Sequence, residues 1–368
     1  MLLIIILIMS SCMITSLAGT KRLDIKIEDA QQTLEWLNQD NKSQSISIIA
    51  MLPANQLMEE LLLQNEEQAE TFETILNKFL QGDSLPEIDY QIKDANDRKE
   101  EITELIQHIT RTGFLDEIYE RAGFFFPKTW QPSSTYEVFF SVTGWKWGDA
   151  MTFKYECNDN KYLLSPSGKP AIIFNLTLVN NTYGQSIDQK IKTLQNVMSH
   201  EVFHALFADF NEGKWKSASD KSFSDEVIQL MFNEGLAHYI ANGKEIAEIY
   251  DQSQNIKDKE KRAFEVLREK AKVIFSADED LTRSRGLAHQ GTYGQFWDKY
   301  LCITGLFMVY HIEKYLGREG IELCLEEGAG KFIEVYQVLS KKNRNIQQLP
   351  LEIINWRSKS DPLSGLTQ

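Results

Sequence analysis

Among the six histidines of this 368-residue chain, two stand four apart in the run His200-Glu201-Val202-Phe203-His204. Residues four apart lie one above the other on a helix, so both imidazoles face a single point, and a point shared by two imidazoles suits a metal ion. Glu201 is turned by about 100° from His200, out of that row but within reach of a water held at the metal. Its place is that of a base, not of a ligand. The neighbours Val197, Met198, Ser199, Val202, Phe203, Ala205 and Leu206 bring neither charge nor proline, which predicts a buried, unbroken helix over residues 187–207. A zinc ion matches such donors: three protein groups hold it at about 2 Å, and the fourth position is left to water, whose pKa falls toward roughly 7. An ordinary buried helix that carries two histidines and an acid is the plain alternative.

The third donor has to come from elsewhere. A histidine six residues past His204 would extend the motif to a three-histidine site, but that position is Phe210. Further on, Val227, Leu230, Met231 and Glu234 fall at i, i+3, i+4 and i+7 of one helical stripe, which sets a carboxylate on a face that otherwise reads as core. A buried carboxylate without a partner is costly or takes up a proton. Coordination of one metal ion by Glu234 removes that cost; an ion pair at the helix edge is the alternative.

The segment Asn233-Glu234-Gly235-Leu236-Ala237, followed by Tyr239, together with the histidine motif resembles the gluzincin metallopeptidases, and locally their zinc aminopeptidase branch. Residues 305–336, with Gly305, Ile312-Glu313-Lys314, Leu316-Gly317, Phe332 and Tyr336, are similar to the region after the zinc site in that branch and in uncharacterised bacterial zinc-dependent peptidases. The resemblance implies that His200, His204 and Glu234 hold one Zn2+ ion, that Glu201 is the general base, and that the substrate is a peptide or protein. It also implies an α+β, mainly helical fold: a zincin-like domain with a small mixed sheet and the metal-bearing helix, then a helical subdomain.

The sequence departs from that pattern at four places. The gap from His204 to Glu234 is longer than the common gluzincin spacing, which predicts extra structure over residues 211–224 near the cleft. Four residues after the glutamate, where some gluzincins carry an aspartate, stands His238, whose role is open. Where the aminopeptidase branch has a tyrosine that stabilises the oxyanion stands Cys302, with Tyr300 two residues earlier. The motif that grips a free amino terminus is missing, so aminopeptidase activity does not follow. His289, Tyr293 and His311 are further candidates for an oxyanion hydrogen bond, each with a structural alternative. Two rival readings stand beside the peptidase: a surface binding protein that keeps zinc for structure, and a zinc hydrolase of non-peptide amides or esters.

A net charge of −14 argues against nucleic acid as a partner, since phosphate binding needs basic surface. Residues 1–18 hold a short apolar run and then small residues, which reads as a secretory signal. Two exits are open: cleavage after Ala18, giving a secreted or periplasmic protein, or lipidation of Cys12, which would attach the chain to a membrane. Residues 19–125 are expected to be a helical region, from the stripes Phe72, Ile75, Leu76, Phe79 and Ile102, Leu105, Ile106, Ile109. The catalytic domain is expected over residues 126–345 and a C-terminal tail over 346–368, loose from Leu349. Inside the domain the period changes to two at Tyr136, Val138, Phe140 and Val142, and further strands are expected at residues 151–155 and 171–178. The second of these precedes the histidine-motif helix as the substrate-pairing edge strand does in zincins, and that resemblance implies that an extended peptide could add as a strand at residues 172–176; an interior strand is the equal alternative. Residues 258–271 read as a charged, solvent-facing helix, and residues 296–316 as an apolar helix stopped by Gly317. Cys302 and Cys324 read as small buried hydrophobes on helices.

Overall fold

The computed structural model describes residues 23–111, 113–146, 148–212, 222–275 and 281–360. The expected signal segment with Cys12, most of the insertion expected at 211–224, and the last eight residues lie outside them. Five strands, β1 (Leu23–Lys26), β2 (Tyr136–Ser141), β3 (Ala150–Asn158), β4 (Lys161–Leu164) and β5 (Lys169–Asn175), form one mixed sheet in the order β1-β2-β5-β3-β4. β1 and β5 both run parallel to β2, whereas β3 is antiparallel to β5 and to β4. Val138, Phe139 and Phe140 on β2 and Ile172, Ile173 and Phe174 on β5 are all buried; continuous apolar runs are the mark of parallel strands covered on both faces. The β3–β4 hairpin turns through Asp159 and Asn160, both at positive φ, the geometry of a two-residue primed turn that suits those residue types.

Ahead of β2 lie α1 (Glu28–Leu37), α2 (Ile46–Ala50), α3 (Pro53–Asn65), α4 (Phe72–Gln81), α5 (Ile92–Asp97), α6 (Lys99–Ile109) and α7 (Phe114–Gly123). The region predicted to be helical also contains β1, whose four residues are too few for alternation to stand out. Its helices pack on the rest of the molecule: α3 lies against β2 and β4, and α6 and α7 against the metal-motif helix. Lys190 there reaches the α6 carboxylate of Glu101 at 3.2 Å, and Arg121 on α7 donates to the Asn196 side chain at 2.6 Å. One hydrophobic core runs through both sides of the boundary placed at residue 125.

After the sheet come α8 (Leu176–Thr182), α9 (Ile187–Phe210), α10 (Phe223–Tyr250), α11 (Gln254–Ile274), α12 (Leu281–Gln290), α13 (Tyr300–Glu327), α14 (Ala329–Lys342) and α15 (Leu351–Ser360). α9 and α10 each open with a capping box, Ser186 with Gln189 and Ser222 with Asp225, which satisfies the first free N–H groups and fixes where each helix begins. α13 is buried all round from Leu301 to Ile312, as a central core helix must be. Gly317, at φ 72, breaks it where the sequence places a stop.

Three expectations change. The stretch 172–176 is not an edge: β5 has β2 on one side and β3 on the other, and the expected strand 171–178 stops at Asn175, whose side chain caps α8. The outer strands are β1 and β4, and among the described residues the stretch of open edge beside Glu201 belongs to the start of β3. Asp149 accepts from Asn175 N–H and Lys154 from Ser165 N–H, both at 2.9 Å; by antiparallel alternation the backbone groups of Ala150 and Thr152 turn away from β5. β4 does not reach them, since its pairing starts at Tyr155. The tail is not loose as far as residue 360, because α15 buries Ile353 and ties the Trp356 indole to Asp225 at 2.9 Å. α11 is charged on one side only. Its Ala263, Phe264 and Leu267 are buried, and so is Glu260, bonded to His311 at 2.8 Å and to the Tyr250 hydroxyl.

Candidate metal centre

α9 and α10 pack side by side, and the helical spacing read from the sequence holds on both. His200 and His204 direct their Nε2 atoms at each other at 2.9 Å. Glu234 arrives from α10 with Oε2 at 3.6 Å from His200 Nε2 and Oε1 at 3.4 Å from His204 Nε2. A tetrahedral zinc with bonds of about 2.05 Å has ligand–ligand edges of about 3.3 Å, so the separations and the imidazole–carboxylate chemistry of these three side chains fit that ion. Burial lowers the pKa of His200 well below its usual value, with His204, His238 and Lys299 adding to the effect and a hydrogen bond to the Ala237 backbone opposing it. A neutral imidazole keeps a lone pair for a metal.

Second partners orient the donors. His204 Nδ1 lies 3.2 Å from Asn233 Oδ1; a proton held there leaves Nε2 as the electron-pair donor. Asn233 thus has a physical task beside Glu234. The Cys302 thiol lies behind Glu234, with Sγ 3.9 Å from Oε2, and burial pushes its pKa up. It is a neutral wall to the carboxylate, as the expectation of a small buried hydrophobe has it.

Glu201 stands beside the cluster on β3's side, where its Oε2 accepts the Thr152 hydroxyl at 2.9 Å. Burial raises its pKa and the nearby Glu234 and Asp149 add to the rise, while His204 and the Thr152 hydrogen bond oppose it. A carboxyl group shifted upward is the better proton acceptor. A cleft of about 500 Å³ opens onto these groups, lined among others by Asp149, Asn196, His200, Glu201, His238 and Lys299.

All four residues singled out from the sequence therefore meet at one place. The suggested oxyanion donors do not. Tyr300 is buried and donates to the Leu287 carbonyl at 2.8 Å, His289 and Tyr293 stack on each other, and His311 is held by Glu260; none of them lines the cleft. Thr152 and Lys299 do line or touch the site and were not legible as such. Lys299 directly precedes the first turn of α13, and a cation at a helix N-terminus opposes the helix dipole, which is the signal that could have marked it. Among the described residues it has no ion pair.

No curated protein and no solved structure gives a significant match to this sequence. A family model does, over residues 46–345, which takes in every residue of the cluster. Its description, putative zinc dependent peptidase, agrees with the imidazole and carboxylate donors found here, and the chain belongs to that family, DUF5700.

Proposed function

We propose that this chain hydrolyses peptide bonds as a gluzincin, with His200, His204 and Glu234 holding one zinc ion and Glu201 acting as general base. The observation that carries the reading is the meeting of three donors from α9 and α10 at 2.9–3.6 Å with Glu201 beside them. When bound, the ion supplies an electrophile for the scissile carbonyl and lowers the pKa of a water molecule. Glu201 takes the proton from that water and passes it to the leaving amine. Thr152 holds one of its carboxylate oxygens, which leaves the other for the proton, and Asn233 keeps His204 in the donor tautomer. The backbone of Ala150 and Thr152, on the strand that touches Glu201 and without a strand partner on that side among the described residues, suits an extended peptide that adds to the sheet. Export by residues 1–18, ending in cleavage after Ala18 or in a lipid on Cys12, is part of the proposal.

The test pairs metal content with cleavage of a mixed peptide library, read by mass spectrometry, for the wild type and Glu201→Gln. One zinc in both and cleavage by the wild type alone is the expected outcome. Cleavage by Glu201→Gln would refute the role of Glu201. A binding protein that retains zinc is the second reading, favoured by Cys302 sitting behind Glu234 with no described tyrosine facing the cleft; zinc in both proteins with cleavage by neither would favour it.

A further inference from the structure

Resting on the metal centre just described, we propose that His238 is a fourth protein ligand of the same ion, so that the resting centre is closed by protein on all four sides. His238 is one helical turn from Glu234 on α10, hence on the same side of the helix. It is only 7% exposed, and among the described residues its Nε2 has no hydrogen-bond partner. That nitrogen is directed into the cluster, 3.9 Å from Glu234 Oε2, and the donor atoms of His200, Glu234 and His238 all lie within 4.8 Å of one another. The ring packs on His200 with centroids 4.6 Å apart, and Phe296 stands edge-on to it at 5.3 Å.

A buried ring nitrogen without a partner is a costly arrangement, and a cation among His200, Glu234 and His238 removes the cost. Glu234 shows how one ion is shared: Oε1 faces His204, while Oε2 faces both His200 and His238. The His200–His204 separation and the three from Glu234 to the imidazoles run from 2.9 to 3.9 Å, around the edge of about 3.3 Å expected for tetrahedral zinc, and the His238 donor lies within 4.8 Å of that of His200. In such a centre His238 would have to leave the ion before the water that Glu201 deprotonates could bind there, which makes this residue the gate to the site.

X-ray absorption at the zinc edge of the loaded full chain counts imidazoles directly. Three in the wild type and two in His238→Ala is the expected result, with zinc affinity, measured against a chromophoric chelator, lower by roughly 100-fold or more in the variant. Two imidazoles in the wild type would overturn the proposal, whether or not His238→Ala folds. A wild type that takes up no zinc at all would instead bring down the metal centre itself, and this inference with it.

Discussion

A close backbone-to-backbone helix crossing lies one residue from Glu234, the proposed metal donor, which makes Gly235→Ala an informative change. α10 and α13 cross at Gly235 and Gly305, and a Cβ on Gly235 would lie 2.5 Å from the Gly305 carbonyl carbon and 2.6 Å from its Cα. Ordinary contact starts at 3.4 Å, so the helices have to part by the difference, about 0.9 Å (3.4 − 2.5). Both obstacles are backbone atoms that cannot turn aside, and a Cβ on Gly305 meets the Met231 carbonyl oxygen still more tightly. Overpacking of this kind costs about 1–3 kcal/mol, and alanine's better helix propensity returns about 1 kcal/mol, which leaves a net loss of about 1 kcal/mol. The larger effect falls on Glu234, one residue away. Donor positions in a metal site tolerate about 0.2 Å, several times less than the displacement, so zinc affinity should drop by roughly 10- to 100-fold. Thermal unfolding of the metal-free protein and zinc titration against a competing chelator measure the two effects separately. Gly286→Ala is the control: it sits on α12 with nothing within 4 Å of the added carbon, and it should raise stability by about 0.5–1 kcal/mol. The reasoning is refuted if Gly235→Ala is as stable as that control and binds zinc as tightly as the wild type.

Two further predictions concern buried acids outside the metal centre. Glu260→Leu removes the shared acceptor of His311 and Tyr250, leaving both buried without it, and should cost about 3–5 kcal/mol in denaturant unfolding; a loss below about 1 kcal/mol would show that the network carries little. Asp29 has its pKa raised, first by burial and then by Glu28, against the Ala54 N–H and Lys26. A folded pKa above the unfolded one means that the ionised carboxylate is held at a cost at neutral pH, a cost that disappears as pH falls through the raised value. Asp29→Asn should therefore be the more stable protein at neutral pH, with the advantage closing as the solution is acidified into the ordinary carboxylate range. An advantage that widens on acidification would contradict the sign.

What the sequence disclosed depended on how local the signal was. His200, Glu201 and His204 are fixed by one helix, and the spacing of a single helix is written in five residues. Glu234 was legible because its stripe is apolar enough to make a carboxylate conspicuous. The hydrogen bond from Thr152 to Glu201 joins residues 49 apart, and no periodicity encodes it. The edge strand was misplaced for a related reason: β5 is apolar like any covered strand, and only the pairing order shows that β3, more polar and running the other way, borders the cleft. β1 and α15 were missed because a four-residue strand and a short helix rich in polar residues gain their order from what they pack on. Leu23 pairs with Tyr136 on β2, and α15 packs on α11 and α14.

The sheet order also sets a sequence of events. β5, residues 169–175, is inserted between β2 and β3, while β1 must find β2 across more than a hundred residues. Only the β3–β4 hairpin can close locally. Until the chain has been made through residue 175, β2 has one flank bare, and distant parallel pairings of this sort are slow to form and exposed to wrong partners meanwhile. α8, α9 and α10 follow β5 in turn, so the helices that carry the proposed metal donors come after the whole sheet in the chain. Metal uptake would then report that folding is finished, and zinc would act as a late lock on an assembled protein, not as the nucleus around which it assembles.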